Sequence, residues 1–361
     1  MLERFHNFNP GPAALPKSVL NEVAQAVYGT EGGTSILTVS HRSPEYEEIH
    51  FSAQKKILHL MELPHEEYDV LFLQGGASQQ FAMLPMNFLR LGQTADYINT
   101  GYWSKRAIDE AKLYGNVNVA ASYKNSGYFH IPEQFSFNPD ARYVHLTTNN
   151  TIEGTQWNGI PDTKDVPLVV DASSDFLAIQ RDFSRFALVY AGAQKNVGSA
   201  GVTIVVARKS FLETSVSEDV ARIFFYKTHS ENKSLYNTPA VFEIFVVSKM
   251  LEWIELQGGL LAIEDKNRHK AQIVYGVLDE FPAIYEPAVK EAKDRSVMNV
   301  TFRLRQGLEK DFLAGTEKRQ MIGLAGHRSV GGIRASLYNG LPLESAQALA
   351  EYMQEFARLN S

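Results

Sequence analysis

The stretch VYAGAQKNVGSAG, Val189 to Gly201, decides the reading of this chain: an apolar run that looks like a buried strand passes directly into small residues surrounding one lysine, Lys195. Lysine is strongly hydrated, so placing one where neighbours are small and apolar needs a reason. One strand earlier, PLVVDAS (Pro167 to Ser173) ends its own apolar run on Asp171. In open parallel sheets ligands gather beyond the carboxyl ends of the strands, so both side chains are expected at one crevice.

Further apolar runs support such a sheet. DVLFLQ (Asp69 to Gln74), ARYVHLTT (Ala141 to Thr148), FALVYAG (Phe186 to Gly192) and GVTIVVA (Gly201 to Ala207) are rich in β-branched or aromatic residues and flanked by breakers. Helical patterns lie between them, as in SPEYEEIHFSAQKKILHLM (Ser43 to Met61) with its Ser-Pro start. Strands alternating with helices predict an α/β fold with a mostly parallel sheet. Beyond about Gln257 the pattern changes: a Gly-Gly break, a charged helix over Glu264 to Leu278, strands in RSVMNVTFRLR and GGIRASLYN, and a last helix from Leu343. That predicts a smaller C-terminal α+β domain. The expected division is 16–256 for the large domain, with 1–15 and 257–361 forming the small one.

Composition limits what the lysine can do. At 361 residues the chain can bury a sizeable core. The formal charge of −6 recommends neither nucleic acid nor an anionic membrane as partner, so an anionic ligand must be drawn by local clusters. With no cysteine, disulfides, thiolate metal sites and a catalytic thiol are excluded. No apolar run is long enough to span a bilayer and the N-terminal residues do not read as a signal peptide. A cytoplasmic protein is expected, without a metal site.

Asp171 and Lys195 admit two readings. One is a partly buried salt bridge or two separate loop residues. The other is an imine lysine for a carbonyl cofactor, with the aspartate opposite a ring nitrogen, the division of labour that pyridoxal phosphate requires. QGGASQQF, Gln74 to Phe81, reads as strand, glycine turn and helix start, where free backbone N–H groups suit a phosphate, although a plain turn would look the same. Three basic spots stand out against the negative total: His41 with Arg42, His327 with Arg328, and Arg334. Guanidinium groups bind carboxylate and phosphate through paired hydrogen bonds, which suits a small dianion.

Six segments, in order, resemble those of the phosphoserine aminotransferase family, within class V of the fold-type I pyridoxal phosphate enzymes. They are HNFNPGPAALP (His6 to Pro16), VSHRSPEY (Val39 to Tyr46), ADYINTGYWS (Ala95 to Ser104), AGAQKNVGSAG (Ala191 to Gly201), YNTPAVF (Tyr236 to Phe242) and GHRSVGGIRASLYNGLPLE (Gly326 to Glu344). The resemblance implies pyridoxal 5'-phosphate bound as an imine on Lys195, with Asp171 at the pyridinium nitrogen. It implies Trp103 stacked on the ring and Thr151, in TTNNTIEG, at the phenolic oxygen. Ala77, Ser78 and Gln194, with Asn237 and Thr238 of a neighbouring subunit, would form the phosphate cup, so a homodimer with shared active sites is implied. Many relatives carry a third glycine and sometimes an arginine where Ala77 and Ser78 stand. Arg334 is the expected holder of the substrate α-carboxylate; His41, Arg42, His327 and Arg328 are expected at the distal group.

The implied reaction is reversible amino transfer between L-glutamate and 3-phosphohydroxypyruvate in serine biosynthesis, with the phosphohydroxythreonine step of vitamin B6 synthesis as a possible addition. Alternatives are a class V enzyme for uncharged substrates, such as an alanine-glyoxylate type, and a pyridoxal phosphate-binding regulatory protein. The extra His-Arg sites argue against the first, and the intact Lys195 and Asp171 against the second.

Overall fold

The computed structural model describes residues 5–29, 33–124, 127–216 and 219–361; residues 1–4, expected in the small domain, lie outside it. The chain begins with β1 (His6–Asn7), α1 (Lys17–Tyr28) and α2 (Pro44–Leu60). Alternation follows: β2 (Tyr68–Leu73), α3 (Gly76–Phe88), β3 (Thr94–Asn99), α4 (Tyr102–Ala111) and β4 (Asn116–Ser122). Next come β5 (Val144–Thr147), β6 (Leu168–Asp171), β7 (Leu188–Gly192), β8 (Thr203–Arg208) and the short helices α5 (Lys209–Leu212) and α6 (Tyr226–Glu231). Two long helices, α7 (Val241–Leu256) and α8 (Gly259–Glu280), lead to β9 (Tyr285–Pro287), β10 (Asn299–Leu304), α9 (Glu309–Lys318), β11 (Met321–Ile322), β12 (Ile333–Ser336) and α10 (Leu343–Asn360).

Among the described residues seven strands make one sheet in the order β2-β8-β7-β6-β5-β3-β4. All neighbouring pairs are parallel except those of β8, which runs antiparallel to both β2 and β7. Alternate residues serve opposite faces: Val70, Phe72, Val170, Val189 and Ile204 join one apolar cluster with α2 and α7. Leu71, Leu73, Val169, Leu188 and Val205 join another with α3 and α4. A sheet covered on both faces favours apolar residues at most positions, which is why its strands read as near-continuous runs rather than as alternation. The α/β architecture and mostly parallel sheet expected from the sequence are therefore present.

A second sheet, β12-β10-β9, is antiparallel and packs on α8 and α10 over its own core, which includes Val274, Phe302, Ile333 and Met353. The N-terminal residues reach it: β1 pairs parallel with β11, and Phe8 is fully buried in that core. The chain then crosses to the large sheet, where the Ala13 N–H donates to the Gln194 carbonyl at 2.9 Å. No described helix is long and apolar enough to cross a membrane.

Local signals account for the element ends nearest the crevice. Ser43 caps α2, its hydroxyl accepting the Tyr46 N–H at 3.4 Å, with Pro44 at the first helical position. Gly75, at φ 92°, makes the left-handed turn from β2 into α3, a backbone shape that side chains other than glycine rarely adopt.

Candidate active site

The carboxyl ends of β5, β6 and β7, the start of α3 and the start of α4 enclose a cavity of about 140 Å³. Ala77, Ser78, Trp103, Thr151, Asp171, Gln194 and Lys195 all line it, together with Thr147 and Ser173. Side chains spread over more than a hundred residues of sequence are brought together by the parallel crossovers.

Lys195 sits just past β7 and its Nζ donates to Thr151 Oγ1 at 2.8 Å. Burial drives its pKa down to about 8 against the pull of Asp171, and Arg334 adds a smaller push in the same direction. A substantial neutral fraction is thus present near neutral pH, where an ordinary lysine is almost wholly charged. Asp171, at the end of β6, is buried and accepts the Ser173 N–H at 2.9 Å. Burial raises its pKa, opposed by the Ser173 bonds and the Lys195 charge. A cationic group in the cavity would reverse that rise.

The first residues of α3 have N–H groups without intrahelical acceptors, and no side chain caps the helix at Gly75. Trp103, on the first turn of α4, packs near Phe81 with ring centroids 6.4 Å apart. Trp103 Nε1 and Thr147 Oγ1 are buried without a protein partner. An amine, a carboxylate, free backbone donors and unsatisfied polar atoms around one hollow are the donor set that a phosphorylated, positively charged aromatic aldehyde requires.

Arg334 lies on β12 of the second sheet, 6% exposed, and Nη1 donates to the Thr151 carbonyl at 3.4 Å. Its Nε is buried and unpartnered. His327 shares with it a small crevice that also includes Thr301, and its ring lies 5.5 Å from that of Tyr102. Burial and then the charges of Arg334 and Arg328 lower the His327 pKa. His41 and Arg42 stand on the turn before α2 and do not line the cavity. Asn237 and Thr238 are also outside its lining; Asn237 Nδ2 donates to Gln74 Oε1 at 3.4 Å.

The site contains an acid that sequence reading passed over. Glu153, two residues after Thr151, is buried, and its Oε1 accepts the Tyr102 N–H at the start of α4 at 2.8 Å. Burial pushes its pKa up to about 7. The signal available in TIEG was an acid beside a glycine, which describes many surface turns equally well.

A part-buried lysine just past β7 and a buried aspartate at the end of the neighbouring parallel strand β6, below an uncapped helix start, define a lysine-based cofactor enzyme. The model of the aminotransferase class-V family matches residues 5–349, and the chain belongs to that family. Within the class, the phosphoserine aminotransferase of Geobacillus kaustophilus is 46% identical over 361 residues, covering 99% of each chain. That of Bacillus subtilis is 46% identical over 362 residues, covering 99% of this chain and 100% of the relative. The solved structure of phosphoserine aminotransferase from Bacillus circulans subsp. alkalophilus superposes with a TM-score of 0.96 at 47% identity, covering 99% of both chains.

Proposed function

We propose that this chain is a pyridoxal phosphate-dependent transaminase that moves an amino group reversibly between L-glutamate and 3-phosphohydroxypyruvate. The products are 2-oxoglutarate and O-phospho-L-serine, in L-serine biosynthesis. The observation that carries this reading is the convergence of Lys195, Thr151, Asp171 and Trp103 on one cavity in a chain that matches phosphoserine aminotransferases end to end.

When bound, pyridoxal phosphate supplies an electron-withdrawing ring that takes up negative charge from the substrate α-carbon. The chain's own residues do the rest. Lys195 would hold the cofactor through its amine, and that amine would take the proton from the substrate α-carbon; a pKa near 8 suits a base at neutral pH. Asp171 would stand at the ring nitrogen and keep it positive. Thr151 would hydrogen-bond the phenolic oxygen, Trp103 would flank the ring, and the N–H groups of Ala77 and Ser78 with Gln194 would receive the phosphate.

Arg334 holds the substrate α-carboxylate through its paired N–H groups. His41, Arg42, His327 and Arg328 receive the distal carboxylate or phosphate. Asn237 and Thr238 serve the neighbouring subunit's phosphate cup, which is consistent with their position outside this chain's own cavity. The same reading includes a cytoplasmic homodimer and a division into 16–256 as the large domain and 1–15 with 257–361 as the small one.

An absorbance titration tests the reaction. The cofactor band is expected to bleach with L-glutamate and return with 3-phosphohydroxypyruvate; a band indifferent to both would overturn the proposal. Sedimentation tests the shared site, because a fully active monomer would exclude it.

A further inference from the structure

The helix that presents Trp103 begins against a carboxylate. Gly101 makes the space: a Cβ there would lie 2.5 Å from the Glu153 carboxyl carbon, so any other residue would displace the acid. Glu153 is 4% exposed; while Oε1 accepts the Tyr102 N–H, Oε2 is buried with no partner. Its main chain is fixed as well, since its carbonyl accepts the Thr301 hydroxyl at 2.9 Å. Thr301 lies on β10 directly across from Arg334 on β12, so the acid's own anchor is the residue paired with the arginine.

Glu153 and Arg334 act on each other electrostatically. Arg334 draws the Glu153 pKa down against burial, and Glu153, after Tyr338, opposes the burial that lowers the Arg334 pKa. Other ionisable groups face the same arginine. His327, on the loop before β12, is held towards its neutral form by burial and then by Arg334 and Arg328, and Lys195 beyond β7 is repelled by Arg334. Tyr338, after β12, is kept neutral by burial. Glu153 is therefore the carboxylate, among the described residues, whose charge Arg334 feels in the absence of a ligand.

An anion held within electrostatic reach of a guanidinium weakens its hold on any arriving carboxylate, because both negative charges draw on one positive charge. We infer that Glu153 is an internal counter-charge to Arg334 that sets how tightly the enzyme grips the carboxylate of substrate and product. The inference rests on the reading of Arg334 as the carboxylate holder. For a reversible transaminase the consequence is useful: two different acids must bind and leave in each cycle, and a damped arginine releases them faster.

The test uses glutarate, a dicarboxylate without an amino or keto group, titrated calorimetrically into the cofactor-loaded enzyme. In the wild type the affinity falls by about tenfold between pH 6 and pH 8.5 as Glu153 ionises. Glu153→Gln, which still accepts from the Tyr102 N–H, binds tightly at both pH values, whereas Glu153→Asp keeps the fall. Wild-type binding near pH 7.5 takes up protons, measured in buffers of different ionisation enthalpy; Glu153→Gln takes up fewer. The inference is overturned by wild-type binding without proton uptake, a result that needs no variant to fold, or by Glu153→Gln retaining the wild-type pH dependence. Arg334→Lys separates the two levels. If it leaves glutarate affinity unchanged, the role given to Arg334 fails; if it weakens binding while Glu153→Gln has no effect, only the counter-charge fails.

Discussion

Lys195 and Lys270 are both lysines withdrawn from water, and their surroundings could hardly differ more. Lys270, on α8, is 2% exposed and donates to the carbonyls of Leu337, Tyr338 and Leu341 at 2.9, 2.7 and 3.2 Å. Its three N–H donors are thus all used, on the turn that follows β12. Lys195 donates to one hydroxyl and faces a cavity. Burial lowers both amines, Lys270 to about 7 and Lys195 to about 8. A shifted pKa therefore does not distinguish a working amine from a structural one; what distinguishes them is whether the amine has an open side. The carbonyl cage also favours the ammonium form of Lys270, a contribution opposite in sign to burial.

The comparison breaks most visibly if the two lysines are removed in turn. Lys195→Ala is expected to lower transamination by roughly a thousandfold or more and to abolish the imine absorbance while leaving the thermal unfolding curve nearly unchanged. Lys270→Met is expected to do the reverse, costing about 3 kcal/mol in urea unfolding because three buried carbonyls lose their donor, with kcat of the folded fraction little altered. A Lys270→Met protein that is stable and inactive would show that the distinction drawn here is wrong. Chemical labelling sharpens the same contrast. In competitive acetylation of the cofactor-free protein at pH 8, Lys195 should react roughly a hundredfold faster than an exposed lysine of ordinary pKa, its rate rising as pH passes through about 8, and Lys270 should stay unmodified. The smallest change concerns the single partner of Lys195. Thr151→Val, which removes the hydroxyl and keeps the shape, should cost about 1 kcal/mol, a kcat loss of roughly fivefold measured by stopped-flow.

The large sheet was legible because burial on both faces leaves strands as largely apolar runs; β5, β6 and β7 fall within the runs identified from sequence, and β2 and β8 overrun theirs by one residue, at Tyr68 and Arg208. β4 was not seen. It is NVNVAAS at the sheet edge, mostly exposed or half-exposed, and its short polar-apolar alternation is not the continuous apolar run that marked the other strands. α8 starts at Gly259, earlier than its charged portion, because an αL glycine at 258 turns the chain straight into it. At the site, Lys195 and Asp171 announced themselves by interrupting apolar runs, whereas Thr151 and Trp103 were found only through the family resemblance. Glu153 was missed because its significance lies in what surrounds it: the missing side chain of Gly101 and the approach of Arg334 from the other sheet are facts of three dimensions.

The N-terminal crossing also sets an order of events at the ribosome. His6 and Asn7 can take their places only against Met321 and Ile322, which are translated far later than they are. Gly11 then passes Lys195 so closely that an added Cβ would stand 3.4 Å from the lysine Cγ. The strands that carry Lys195 and Asp171 leave the ribosome long before that partner exists. The segment around His6 and Gly11 thus docks late, and the wall it forms beside the lysine is finished only after Met321 and Ile322 have been made.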